Sequence, residues 1–208
     1  MENNSVMGIR ELEDAKSGYL KEIVLLHKKA FPSFFLTQLG APFLKALYKG
    51  YLEDKYSGII VAEDKGRLVG FIAYSKDYSR FFRELVKHHW IRFAVCSAGA
   101  AIRHPSFIMR LFRAFGKSKS VEKKEDYVEL ASICVDPEIQ GQGVGTMLID
   151  HLKNMIDFET YEYISLETDA DNNVRANRFY QKNGFELARR LVTAEGRRMN
   201  EYRYRGSM

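Results

Sequence analysis

One stretch constrains the fold more than any other: Val135-Asp-Pro-Glu-Ile-Gln140-Gly141-Gln142-Gly143-Val144-Gly145-Thr146. It follows an apolar run, Tyr127 to Val135, and precedes a helix-period run whose apolar positions are Val144, Met147, Leu148, Leu152 and Met155. It therefore joins a buried strand to an amphipathic helix. Glycines at 141, 143 and 145 let the backbone approach a ligand closely. The unpaired N–H groups at a helix start point outward with the positive end of its dipole, and the combination predicts a pyrophosphate cradle. No Gly-Lys-Ser/Thr follows, which excludes a Walker loop. The third glycine comes one residue too early for G-x-G-x-x-G, and residues 136–140 separate strand from loop, which excludes the dinucleotide fingerprint.

Around this stretch, short apolar runs alternate with helix-period runs, the pattern of an α/β or α+β domain. Ile9 to Leu12 reads as a strand. Asp14 opens a helix carrying Leu20, Ile23, Val24, Leu26 and His27, which ends before Phe31-Pro32. Thr37 is read as the cap of a second helix with Leu39, Phe43, Leu44, Leu47 and Tyr48. Ser57–Glu63 and Arg67–Ser75 form a hairpin across Asp64-Lys65-Gly66. After Val135 come a helix from about Gly143 to Phe158 and a strand Tyr163–Thr168. A helix from about Asn172 to Asn183, stopped by Gly184, and strands near Phe185–Thr193 and Met199–Tyr204 complete the chain. With 208 residues, 46% of them hydrophobic and 28% charged, the chain supports one core rather than two.

From Lys76 to Asp126 the strand pattern is suspended. Phe81, Phe82, Leu85, Val86 and Trp90, then Phe107, Ile108, Leu111, Phe112 and Phe115, recur at helical spacing and predict a helical insertion. Charge concentrates there. Between Arg80 and Lys119 nine basic residues face Glu84 alone, so this stretch carries +8 and the remainder −3 of a formal net +5. The most apolar window, Phe93 to Ile102, is far shorter than the roughly 20 apolar residues a membrane helix needs. Two cysteines, and a start without a basic and apolar leader, predict a cytoplasmic protein. No His, Cys, Asp and Glu set has ligand spacing, so no metal is expected.

A strand ending in Val-x-Pro, then Gln140-x-x-Gly143-x-Gly145, then a helix, resembles the acetyl-CoA loop of the GNAT superfamily of N-acetyltransferases. Asn173-x-x-Ala176-x-x-Phe179-Tyr180-x-Lys182-x-Gly184-Phe185 resembles that family's second signature. Together the two motifs cover Tyr127 to Phe185. The resemblance implies a mixed, mostly antiparallel central sheet flanked by helices, with 1–208 as a single acetyltransferase domain and about 76–126 inserted. It implies acetyl-CoA as co-substrate. The pyrophosphate would meet Gln140, Gly141, Gln142, Gly143, Val144, Gly145 and Thr146. Many members carry Arg where Gln142 stands, so binding here leans on backbone N–H groups. Backbone groups of Ile133 and Val135 would pair with pantetheine as with a neighbouring strand, and Asn173 would bond the same arm, unless it only caps a helix.

Acetyl transfer from a thioester to an amine needs a neutral amine, a donor to the developing oxyanion and a proton for the leaving thiolate. Glu129 lies in a strand apolar on both faces, where a carboxylate is costly without a use or a partner. Burial should raise its pKa, and it sits where several family members resemble one another in carrying a catalytic glutamate. It is the candidate base; the alternative is a salt-bridged strand residue. Tyr180 shares a helical face with Asn173 and Ala176 and is the candidate acid; the alternative is a core aromatic beside Phe179. Cys134 has no evident His partner and reads as a buried, inert thiol.

The leading reading is an enzyme that acetylates a primary amine of a small molecule, for instance an anionic amino sugar derivative, by direct transfer. A protein Lys or N-terminus is the second acceptor class. A non-catalytic module that senses acyl-CoA, or that binds nucleic acid or an anionic membrane through the basic insertion, is the third, and Glu129 with Tyr180 favours catalysis over it. No nucleic-acid partner is expected, peripheral membrane contact through the insertion stays open, and so does a homodimer. The insertion should wall the acceptor pocket, with Phe81, Trp90 and Phe112 inward and Arg83, Arg103 or Arg110 meeting an anionic group.

Overall fold

The computed structural model describes residues 7–13, 18–85, 87, 126–193 and 196–206. Seven strands form one sheet: β1 (Gly8–Glu11), β2 (Ser57–Asp64), β3 (Arg67–Ser75), β4 (Tyr127–Val135), β5 (Tyr163–Asp169), β6 (Glu186–Val192) and β7 (Arg198–Tyr204). Their order is β1-β2-β3-β4-β5-β7-β6. Neighbours are antiparallel except β4 and β5, which run parallel. The expected mixed, mostly antiparallel sheet flanked by helices is thus the observed architecture.

The β2–β3 hairpin turns at Lys65 and Gly66, both in the left-handed region with φ of 50° and 75°. That is the geometry a two-residue primed turn requires. On one face of the sheet lie α1 (Tyr19–Ala30), the short α2 (Phe35–Gln38) and α3 (Ala41–Glu53). They pack on Ile59, Val61, Phe71, Ala73 and Cys134. The opposite face packs Ile60, Ile72, Val128, Leu130 and Ile164 against α4 (Val144–Met155), and Tyr180 of α5 (Val174–Lys182) joins that layer. The central strands β2, β3 and β4 send alternate side chains into the two cores, so β2 and β3 read as continuous apolar runs rather than alternating ones.

One local expectation is corrected, and another falls outside the described residues. The helix opening the chain's α1–α3 layer begins at Tyr19, with Gly18 as a cap that has no side chain to offer; Asp14 lies outside the described residues. Thr37 is not a cap. It sits within α2 and donates its hydroxyl to the Phe31 carbonyl at 2.7 Å. The next helix starts after Gly40, whose φ of 95° and following Pro42 set the new direction.

β3 ends at Ser75 and β4 begins at Tyr127. Residues 78–85 are helical, and Phe81, 2% exposed, lies against Tyr51 with ring centroids 4.2 Å apart. This helix approaches α3 closely at Gly50, where a Cβ would come within 2.4 Å of Leu85 Cδ1. Trp90, Arg103, Phe112 and Arg110 lie outside the described residues.

Candidate functional site

The site is built where β4 and β5 part. The parallel strands pair only at Tyr127–Tyr163, Val128–Ile164 and Glu129–Ser165. Beyond that point β5 continues with β7, while β4 continues with β3 alone. A bulge accompanies the parting: Ala73 opposes Ser132 and Tyr74 opposes Leu130, so Ala131 is the extra residue. The Asp136 N–H bonds Val69 O at 2.8 Å, on the β3 side. Because successive N–H groups of a strand point to opposite sides, those of Val135 and Ile133 turn toward the opening. An extended ligand could add there as a strand.

At the end of β4 a 3₁₀ turn, Pro137–Ile139, leads into the glycine loop. Gly141 and Gly143 have φ of 90° and 86°, values that L side chains rarely adopt. Nothing lies within 4 Å of the position a Cβ would take at either. Gly143 is the N-cap of α4 and supplies no side-chain cap, so the first-turn N–H groups are left for a ligand. These residues fit a pyrophosphate. Val144 is 1% exposed, its side chain in the core, so its backbone alone can serve. Gln140 turns its amide back to the Val135 carbonyl at 3.5 Å, Gln142 is exposed and Thr146 half-buried. Gly145 has a different reason for being glycine. A Cβ there would stand 2.9 Å from Phe179 Cζ, so its smallness lets α4 and α5 meet.

Glu129, 9% exposed, points to the face carrying α1 and α3, since Val128 and Leu130 point to the other. The phenols of Tyr51, Tyr78 and Tyr127 are held above the ordinary tyrosine range, first by burial and then by neighbouring charge, Glu129 among the sources for each. The three phenols are thus within electrostatic reach of the carboxylate. Tyr180, 8% exposed, packs from the opposite face between Phe179, Phe185 and Tyr202, with centroids 5.4, 6.1 and 6.0 Å away. Burial pushes its phenol up, so it keeps its proton at neutral pH. The chain therefore brings Glu129 and Tyr180 to opposite faces of one sheet, Glu129 at the last pair before β4 and β5 part.

Asn173 is the N-cap residue of α5 by position, yet its side chain makes no capping bond. It reaches instead to Thr168 Oγ1 at 2.8 Å, bridging α5 to β5. Asn177, one turn on, is tied to the Asn173 and Asp169 carbonyls and accepts from Asn200 and Tyr202. Cys134 is 1% exposed, its sulfur 3.6 Å from the Leu26 carbonyl, and burial pushes the thiol up. It is unsuited to nucleophilic attack. Arg80, counted among the basic residues of the insertion, is paired with Asp54 at 3.0 Å and lies over the Tyr56 ring.

Sequence reasoning missed Asp136 and the tyrosines around Glu129. The Asp136-Pro137 dipeptide is a turn signal that marks the first; Tyr127 is local, two residues before Glu129 on the same strand, whereas nothing local marks Tyr51 and Tyr78, which lie outside β4. Among the described residues no group of three His, Cys, Asp or Glu side chains could hold a metal ion, and no helix is long and apolar enough to cross a membrane.

Residues 20–185 match the acetyltransferase (GNAT) family. An uncharacterized N-acetyltransferase of Schizosaccharomyces pombe is 22% identical over 148 residues, covering 60% of this chain and 63% of that protein. The chain thus spans less than two thirds of the length of this curated relative. A Desulfovibrio desulfuricans structure, assigned as a GNAT acetyltransferase, superposes with a TM-score of 0.61 at 15% identity, covering 96% of this chain and 99% of that one. A Bacillus anthracis protein assigned as a streptothricin acetyltransferase, solved with acetyl coenzyme A, has a TM-score of 0.50 and 19% identity over 77% of this chain and 68% of its own.

Proposed function

The chain belongs to the acetyltransferase (GNAT) family, and on that footing we propose that it transfers an acetyl group from acetyl-CoA to a primary amine of a small molecule. The observation that carries this reading is the parting of β4 from β5 immediately after Glu129–Ser165, on a strand whose far end leads through the glycine loop into the uncapped helix α4.

Bound acetyl-CoA supplies an activated thioester. Backbone N–H groups of Gly141 and of Gly143 to Thr146 meet its pyrophosphate, the Gln142 N–H being engaged by the Ile139 carbonyl, and the N–H groups of Ile133 and Val135 hold the pantetheine arm in the opening, with Asn173 beside it. Glu129 takes a proton from the acceptor amine on one face of the sheet, so that a neutral nitrogen attacks the carbonyl carbon. Tyr180 gives its phenolic proton to the sulfur as the C–S bond breaks, the new C–N bond having formed, and the proton that the acetylated nitrogen then loses restores the phenol. The two groups act from opposite faces because the thioester lies in the plane of the sheet between them.

An acceptor reaching a carboxylate 9% exposed among tyrosines must be small or carry its amine on a slender arm, which favours a small molecule. If that molecule also bears an acid, Arg83 and the remaining basic residues of 76–126 are its counter-charge, Arg80 being engaged by Asp54. The test is a screen of amines with acetyl-CoA for thiol release. Turnover of a small amine supports the reading; turnover of peptide Lys or N-termini alone moves the acceptor to protein; binding of acetyl-CoA with no turnover of either leaves a sensor.

A further inference from the structure

We propose that Asp136 is a positioning residue for the pyrophosphate loop, an inference that rests on the acetyl-CoA reading. Its carboxylate is nearly buried, the side chain 6% exposed. Such a charge is expensive without partners. It has three. Lys29 Nζ, in the last turn of α1, stands 2.7 Å from one oxygen, and Arg67 Nη2, at the start of β3, donates to the other at 2.9 Å. The Glu138 N–H donates to it at 3.0 Å. Burial alone would raise its pKa, but these hydrogen bonds and the Lys29 and Arg67 charges hold it below the usual carboxylate range.

The backbone of Asp136 is tied as firmly. Its N–H bonds Val69 O at 2.8 Å, and its carbonyl accepts the Ile139 N–H at 3.0 Å. The Ile139 carbonyl then receives the Gln142 N–H at 3.4 Å, one residue before the Gly143 cap. Two turns in series thus lead from the carboxylate to the cradle. The cradle cannot hold itself, because glycines lose more conformational freedom on ordering than any other residue and α4 has no side-chain cap.

A neutral Asn at 136 could accept the Glu138 N–H equally well, and a carboxylate beside a pyrophosphate site repels the ligand. What the charge adds is the capture of Lys29 and Arg67, which fastens the loop to α1 on one side and to the hairpin on the other. Lys29 also meets the Glu138 carboxylate at 2.8 Å, so the two cations neutralise both acids and the cluster presents no net charge to the ligand.

Calorimetry with acetyl-CoA on the full chain tests this. Asp136→Ala should weaken binding about tenfold or more, and Asp136→Asn, which keeps the acceptor for the Glu138 N–H, by about threefold. Lys29→Met with Arg67→Met leaves the carboxylate uncompensated and should weaken binding more than Asp136→Asn does. Adding Asp136→Asn to that pair should restore affinity toward the level of Asp136→Asn alone, a rescue that a merely structural role would not produce. With a turned-over amine, KM for acetyl-CoA should rise while kcat changes little. Should Asp136→Ala not fold, the Lys29 and Arg67 variants, whose side chains are 41% and 59% exposed, decide. A folded Asp136→Ala that binds like wild type, or the absence of rescue, overturns the proposal alone. No binding by wild type overturns it together with the acetyl-CoA reading.

Discussion

Glu129 and Tyr180 occupy opposite faces of the same sheet, one packed beneath the α1–α3 layer and the other within the layer of α4 and α5. Two groups so placed can serve one reaction only through a gap in the sheet, and β4 and β5 separate at Glu129. Tyr180→Phe should therefore lower kcat with little effect on acetyl-CoA affinity, because only the proton is lost. Glu129→Gln should remove the rising limb of kcat/KM with pH. Wild-type rates for both variants on a verified amine would remove both roles.

Gly143 holds α4's first turn open through a left-handed backbone. Gly143→Val should abolish acetyl-CoA binding while costing about 1–2 kcal/mol of stability, the strain of an L residue at positive φ. A thermal shift with saturating acetyl-CoA reads the first effect and the melting midpoint the second. A variant that melts like wild type and still shifts refutes the assignment.

At Gly145 packing should dominate. Gly145→Ala improves helix propensity by about 1 kcal/mol, yet its methyl would meet Phe179 Cζ at 2.9 Å. Overpacking of this kind costs about 1–3 kcal/mol, so a lower Tm is expected, recovered in part by Phe179→Leu in the same background. An unchanged or higher Tm for the single variant contradicts the account.

His27 provides a pH prediction. It is 2% exposed, its Nδ1 is 2.6 Å from the Tyr48 hydroxyl, its Nε2 has no partner among the described residues, and burial lowers its pKa from 6.5 to about 4. Protons then favour the unfolded chain. The contribution of neutral His27 is complete above pH 6.5 and is lost as pH falls toward 4, amounting to about 3 kcal/mol across that window. Asp136 acts in the same sense, but only below the usual carboxylate range. Denaturant unfolding of wild type and His27→Gln at pH 7.5 and 4.5 checks it: the wild-type loss should shrink in the variant. Equal losses would reassign the effect to other groups.

The sequence by itself determined the pieces whose physics is local. The turn at Lys65-Gly66, the glycine loop between β4 and α4, and the stop of α5 at Gly184 each follow from residues a few positions apart, through φ preferences and helix periodicity. The same locality is why Thr37 misled, since a hydroxyl that can cap a helix can equally bond backward, and the fold chose the Phe31 carbonyl. Gly145 likewise revealed only that it was glycine; that Phe179 is the reason depends on how α4 and α5 cross. The order of the sheet, the parting of β4 from β5 and the opposite faces of Glu129 and Tyr180 were decided by tertiary structure alone. So were the partners of Asp136, Arg67 being 69 positions away and Lys29 farther still. Those relations depend on which strands pair and in what register, and pairing energy comes from contacts between distant segments that no local pattern encodes.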